Sequence, residues 1–140
     1  VWINIGAQNI AGLAGVTGFQ PLSESSHQAG QFSDGHNAAH GAIAEELIDL
    51  GLESGDQVGY VGYSFSAYWA RLAGLRIIAE IHPEDIPAFQ AAVDHRLQEI
   101  LAAFASTGAK AVIVAPLSNP ALTDDWESIG DTGYRLYWLR

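Results

Sequence analysis

The stretch that decides the fold is Gln57-Val58-Gly59-Tyr60-Val61-Gly62-Tyr63-Ser64-Phe65-Ser66-Ala67-Tyr68-Trp69-Ala70-Arg71-Leu72-Ala73-Gly74-Leu75-Arg76-Ile77-Ile78-Ala79-Glu80-Ile81. Gln57 to Tyr63 reads as a buried strand, with Val58 and Tyr60 on one side and Val61 and Tyr63 on the other. Ser64 or Ser66 is placed to cap a short helix over 67–73, closed by Gly74. Leu75 to Ile81 is again mostly apolar on both faces, which is the pattern of a strand in a parallel sheet.

Upstream, Asp34 is positioned to cap a helix from about His36, with Ala39, Ile43, Leu47 and Leu50 at helical spacing and Gly51 as its stop. Downstream, His82-Pro83-Glu84-Asp85 breaks the second strand. A long helix is expected from about Pro87 to Thr107, its apolar stripe made by Phe89, Val93, Leu97, Ile100, Leu101 and Phe104. Ala109 to Ala115 is a third apolar strand, ended by Pro116. Trp126 to Ile129 is a short turn or strand. Tyr134 to Leu139 is a final strand, expected antiparallel at the sheet edge because its connection is short. Strands alternating with helices imply right-handed crossovers. The expected fold is therefore a small three-layer Rossmann-like α/β domain over 36–140, with a mostly parallel sheet of about four strands and one antiparallel edge strand. Residues 1–35 are rich in Gly, Ala, Ser and Gln and read as a linker or a segment draped over the domain.

Composition narrows the function classes. The 140 residues suffice for one domain, and 49 % are hydrophobic, so a core can be built. Six Lys and Arg face sixteen Asp and Glu, a formal charge of -10. That balance argues against nucleic-acid binding, which draws on basic residues to neutralise phosphates, and against direct docking on anionic lipid. Without Cys there are no disulfides, thiol nucleophiles or thiolate metal sites. Without Met, the chain is expected to be part of a longer protein. All six basic residues lie from Arg71 onward, while the first 70 residues carry seven acids. Such a deficit of Lys and Arg suits an external loop of a membrane protein, although no run approaches the ~18 consecutive apolar residues of a membrane span.

Four constellations invite chemistry. The turn after the first strand offers Ser64, Ser66 and free N–H groups for an anion, and Glu80 closes the next strand, about where an acid would hold a ribose hydroxyl. The G-x-G-x-x-G spacing is absent, and Tyr63 and Phe65 are bulky where backbone must approach a pyrophosphate closely. Gly62-Tyr63-Ser64-Phe65-Ser66 is also close to a nucleophile elbow, but Ser66 replaces the last glycine. Neither later histidine, His82 or His95, has an evident route to Ser64. His36 and His40 have the spacing of a helical zinc pair and lack an evident third ligand. Tyr68, Trp69, Tyr134, Tyr137 and Trp138 suit a sugar-stacking surface or ordinary core and edge packing. Arg71 and Arg76 are expected to pair with acids on the surface.

The series Ala44-x-x-Leu47, Gly51-Leu52, Gly55-Asp56-x-Val58, Gly62, Tyr68-Trp69-Ala70-Arg71-Leu72 and Arg76-Ile77-x-Ala79-Glu80-Ile81 continues with Gly108-Ala109-x-Ala111 and Gly130-Asp131-Thr132-x-Tyr134. In this order it resembles the soluble C-terminal domain of bacterial multi-spanning membrane proteins of glycosyltransferase-like or uncharacterised type, over about residues 38 to 140. The resemblance implies a small α/β domain appended to a membrane-embedded enzyme or transporter-like body, and the acidic balance and lack of Cys fit an extracytoplasmic placement of it. The lipid-linked donor chemistry of such proteins resides near the spans, so no catalytic residue carries over to this chain. The expected partner is the spanning region of the parent, with self-association into a homo-oligomer compatible and no cofactor expected. The alternative is a nucleotide- or sugar-nucleotide-binding domain using Ser64, Ser66 and Glu80.

Overall fold

The computed structural model describes residues 4–5, 31–92, 94–117 and 125–140. Its strands are β1 (Asn4–Ile5), β2 (Gln57–Val61), β3 (Arg76–Ile81), β4 (Ala111–Val114), β5 (Glu127–Ser128) and β6 (Arg135–Trp138). Its helices are α1 (Gln31–Asp49), α2 (Tyr68–Leu72), α3 (Ile86–Gln90) and α4 (Asp94–Ser106). The chain is α/β, with an open mixed sheet in the order β1-β3-β2-β4-β6-β5. As expected, β2, β3 and β4 are mutually parallel neighbours, β2 lying between the other two.

Helices cover both faces because the strands are apolar on both faces. Val58 and Tyr60 point towards α1 and α2, where they join Ile43, Leu47, Trp69 and Ala70 in one buried cluster. Val61 and Val112 point the other way, into a second cluster with Phe89 of α3 and Leu97, Ile100, Leu101 and Phe104 of α4. Each fully buried side chain of this size contributes roughly 1.5–3 kcal/mol from burial. Gly59 faces the second cluster, and the ring of Phe104 occupies the space its side chain would take: a β-carbon there would lie 2.3 Å from Phe104 Cδ1.

Several expectations need correction: among the described residues the sheet has six strands and not about four, and three of its five neighbouring pairs are antiparallel, so it is mixed and not mostly parallel. The final strand β6 is antiparallel but not at the edge; it pairs with β4 on one side and β5 on the other. The short segment after Trp126 therefore forms the margin, and β1 adds an antiparallel pair to β3 at the far side. Pairing partners of this kind are chosen by tertiary contact, not by strand periodicity. Helix α1 opens at Gln31 and not near His36, so position 34 lies within the helix and not at its N-cap.

The helix expected over 87–107 is two helices. Ala91 and Ala92 close α3 with turn hydrogen bonds to Pro87 and Phe89, and Asp94 starts α4 with an acid in its first turn. Neither Gly nor Pro stands at the joint, and Gln90, Ala91 and Ala92 favour helix, so apolar spacing alone conceals it. Phe89 and Leu97 both reach the same cluster from the two separate segments.

Candidate functional site

The chain leaves the central strand β2, crosses by α2 to β3 on one side, then by α3 and α4 to β4 on the other. The direction of winding thus reverses between β2 and β4, and ligands of open α/β sheets bind beyond the carboxyl ends of the strands at such a point. The residues there are Gly62 to Ala67 after β2 and Ala115 to Leu117 after β4.

The turn after β2 is built differently from a phosphate loop. Ser64–Ser66 form a single 3-10 turn, and the first residue before α2 is Ala67, which provides no side-chain cap. Neither serine caps α2, contrary to expectation. Ser66 Oγ donates to the Tyr63 carbonyl at 2.7 Å, a local bond that holds the turn instead. Ser64 and Glu80 do come together: the Ser64 N–H donates to Glu80 Oε2 at 3.3 Å. The carboxylate expected to hold a ribose therefore occupies a donor that an incoming anion would need.

The ring that fills this turn is Tyr60. Gly62 has φ +154, and a β-carbon on it would lie 2.6 Å from Tyr60 Cζ. Tyr60 is 1 % exposed, with its ring edge-on to Trp69 at 5.3 Å, and Trp69 in turn meets Tyr134 at 6.3 Å. Burial, with Tyr134 beside it, pushes the Tyr60 phenol far above its ordinary range. Tyr63 and Phe65, expected to crowd the turn, reach solvent. Phe65 is 87 % exposed and Tyr63 is half-exposed, their rings 5.4 Å apart. Tyr68 and Leu72, four residues apart on α2, are also exposed.

The remaining candidates disperse. His40 is buried in α1 against the Tyr68 ring, and the side chain of His36 lies outside the described residues. Among the described residues no group of three or more His, Cys, Asp and Glu could hold a metal ion. His82 Nδ1 accepts the Glu84 N–H and its ring meets Tyr63, while exposed His95 lies 3.6 Å from Glu99 on α4. Arg71 and Arg76 form no ion pair with any described residue, so their expected pairing is not found; Lys110 does, with Asp56 at 2.7 Å.

Two cavities were not anticipated. One of about 280 Å³ lies beside Pro116, Ser128, Tyr134 and Arg135. The larger, about 420 Å³, lies between α4 and the β5–β6 hairpin, and of its lining only Tyr137 and Trp138 carried a signal in the sequence.

Comparison with protein-family models, with curated proteins and with solved structures finds no match for this chain. No helix among the described residues is long and apolar enough to cross a membrane.

Proposed function

We propose that this chain is a non-catalytic binding domain of a larger, membrane-spanning and glycosyltransferase-like protein, which it serves from the extracytoplasmic side by docking on the spanning region and shaping access to it. The observation that carries this reading is the position of the exposed apolar side chains. Of the five large ones among the described residues, Tyr63, Phe65, Tyr68 and Leu72 fall within ten residues, on the rim beyond β2 and along α2. Scattered exposed apolar residues need no explanation, whereas clustered ones mark interaction surfaces. The absence of Lys and Arg from the first 70 residues supports the external side, and the resemblance of residues 38–140 supports the spanning parent as the partner. In this reading the small Rossmann-like arrangement is a rigid support for the rim.

The test places a photo-crosslinking amino acid at position 65 of the complete protein in its native membrane. Cross-links to peptides of the spanning region of the same protein are expected. A complete protein that stays in solution without detergent, or a position 65 that reaches no part of the spanning region, overturns the reading.

The reversal of winding between β2 and β4 favours one other reading, a nucleotide site formed by Ser64, Ser66 and Glu80. Against it stand the internal bonds that already engage the Ser64 amide and the Ser66 hydroxyl. A thermal-shift panel of nucleotides and sugar nucleotides separates the two, since a ligand at a hundred times its Kd stabilises by about 2.7 kcal/mol. No shift is expected.

A further inference from the structure

Loops beyond the carboxyl ends of strands are ordinarily the adaptable part of an open sheet. The turn that carries Tyr63 and Phe65 is instead bonded along its length. The Gly62 N–H donates to the Ile81 carbonyl at 3.2 Å and the Ser64 N–H to Glu80 Oε2 at 3.3 Å, so β3 holds the turn at two points. Within the turn, the Ser66 N–H and Oγ both donate to the Tyr63 carbonyl, at 3.0 and 2.7 Å, and the Ala67 N–H donates to the Ser64 carbonyl at 3.0 Å. From beneath, the Tyr60 phenol fills the space under Gly62, where a β-carbon would lie 2.7 Å from Tyr60 Oη.

Among the described residues, Glu80 is the one side chain from outside the turn that bonds to it. The N–H it accepts belongs to the peptide joining Tyr63 to Ser64, and Phe65 follows at once. Fixing that peptide plane fixes the directions in which both aromatic side chains leave the backbone. The Tyr63 ring then stands between Phe65 at 5.4 Å and His82 at 6.3 Å, while both rim rings remain open to solvent. Aromatic anchors carry much of the energy of an interface. Anchors held in place beforehand lose less entropy when a partner docks on them.

We propose that Glu80 is a positioning residue for the rim: its carboxylate holds Tyr63 and Phe65 in the outward arrangement in which they meet the partner. The inference rests on the docking reading of the rim and names the group that keeps the rim preformed.

The test has two arms. Backbone amide relaxation, measured by NMR on the isotopically labelled full chain, reads the turn itself without any partner. In the parent protein and in Glu80→Gln, which keeps an acceptor oxygen, order parameters at residues 63–66 should match those of the strands, near about 0.85. In Glu80→Ala they should fall below about 0.6. In the second arm the same variants enter the complete protein with the photo-crosslinking amino acid at position 65. Glu80→Ala should lower the yield of cross-links to the spanning region about fivefold, the scale of one side chain that must be ordered on binding. Ile100→Val, a buried change on α4 of similar cost to stability and away from the turn, should leave the yield unchanged. A turn as ordered in Glu80→Ala as in the parent, an unchanged yield in that variant, or an equal fall with Ile100→Val would each overturn the proposal. A parent that forms no cross-link to the spanning region sinks the docking reading, and the relaxation arm then decides by itself whether Glu80 holds the turn.

Discussion

The carboxylate of Glu80, at the end of β3, accepts the backbone N–H of Ser64 at the start of the turn after β2. The bond ties two neighbouring parallel strands together where they end, and gives a partly buried donor a charged partner. At 3.3 Å it is long, so its contribution belongs near the low end for bonds to charged groups. Glu80→Ala should lower the unfolding free energy by about 1 kcal/mol, whereas Glu80→Gln, which keeps an acceptor oxygen, should cost less than half of that. Urea unfolding of the two variants checks the order.

Gly59 is the position where the sheet admits no side chain. Because a β-carbon would overlap the Phe104 ring, Gly59→Ala forces either the ring or the β2 backbone to move. Overpacking of this kind costs about 1–3 kcal/mol. Phe104→Leu in the same chain should recover part of the loss by yielding space. A double-mutant cycle of thermal or urea unfolding measures the coupling, and strictly additive effects would refute the contact.

Asp56 has two donors on one oxygen, Lys110 Nζ at 2.7 Å and the Glu53 N–H at 2.8 Å. The hydrogen bond from Lys110, followed by that from Glu53, holds its carboxyl below its ordinary value of 3.8. A depressed folded-state pKa stabilises the fold above the unfolded value, and this stability disappears as pH falls from 3.8 through the lower folded value. The pair is partly exposed, so its contribution stays within about 1 kcal/mol and shrinks with salt. Lys110→Ala should flatten this segment of the acid-unfolding curve, and the difference from the parent protein should narrow at high ionic strength.

Tyr60 sets the opposite boundary. Its burial raises the phenol far above the usual tyrosine pKa of about 10. Since the neutral form is favoured in the folded state, the fold is fully stabilised below that unfolded value and loses stability as pH rises above it. Ultraviolet titration should show one tyrosine that ionises only with alkaline unfolding, and Tyr60→Phe should remove that late step.

The recognition of β2, β3 and β4 as parallel strands follows from local chemistry. Val58, Tyr60 and Val61, Ile77 to Ala79 with Ile81, and Ala111 to Val114 are apolar on both faces, and a strand with two apolar faces must be covered on both. The ends of these elements are legible for the same reason: Gly51, Gly74 and Pro116 act within a residue or two of themselves. The pairing of Ser64 with Glu80 was partly legible, because both were expected at the carboxyl ends of adjacent strands, although as ligand groups and not as each other's partners.

The remaining features join residues distant in sequence. That β6 lies inside the sheet, with β5 outside it, depends on which strand edge remains unpaired once the rest has assembled. That Tyr60 and not Tyr63 or Phe65 fills the turn depends on the packing of its ring against Trp69 of α2, while the other two rings reach solvent. Gln98, Asp125 and Tyr137 became neighbours only when α4 packed beside the hairpin. Periodicity and turn chemistry act over a few residues and so determine elements and their buried faces. The order of strands and the grouping of side chains in a cavity arise from contacts that close long loops, and no short stretch of sequence encodes them.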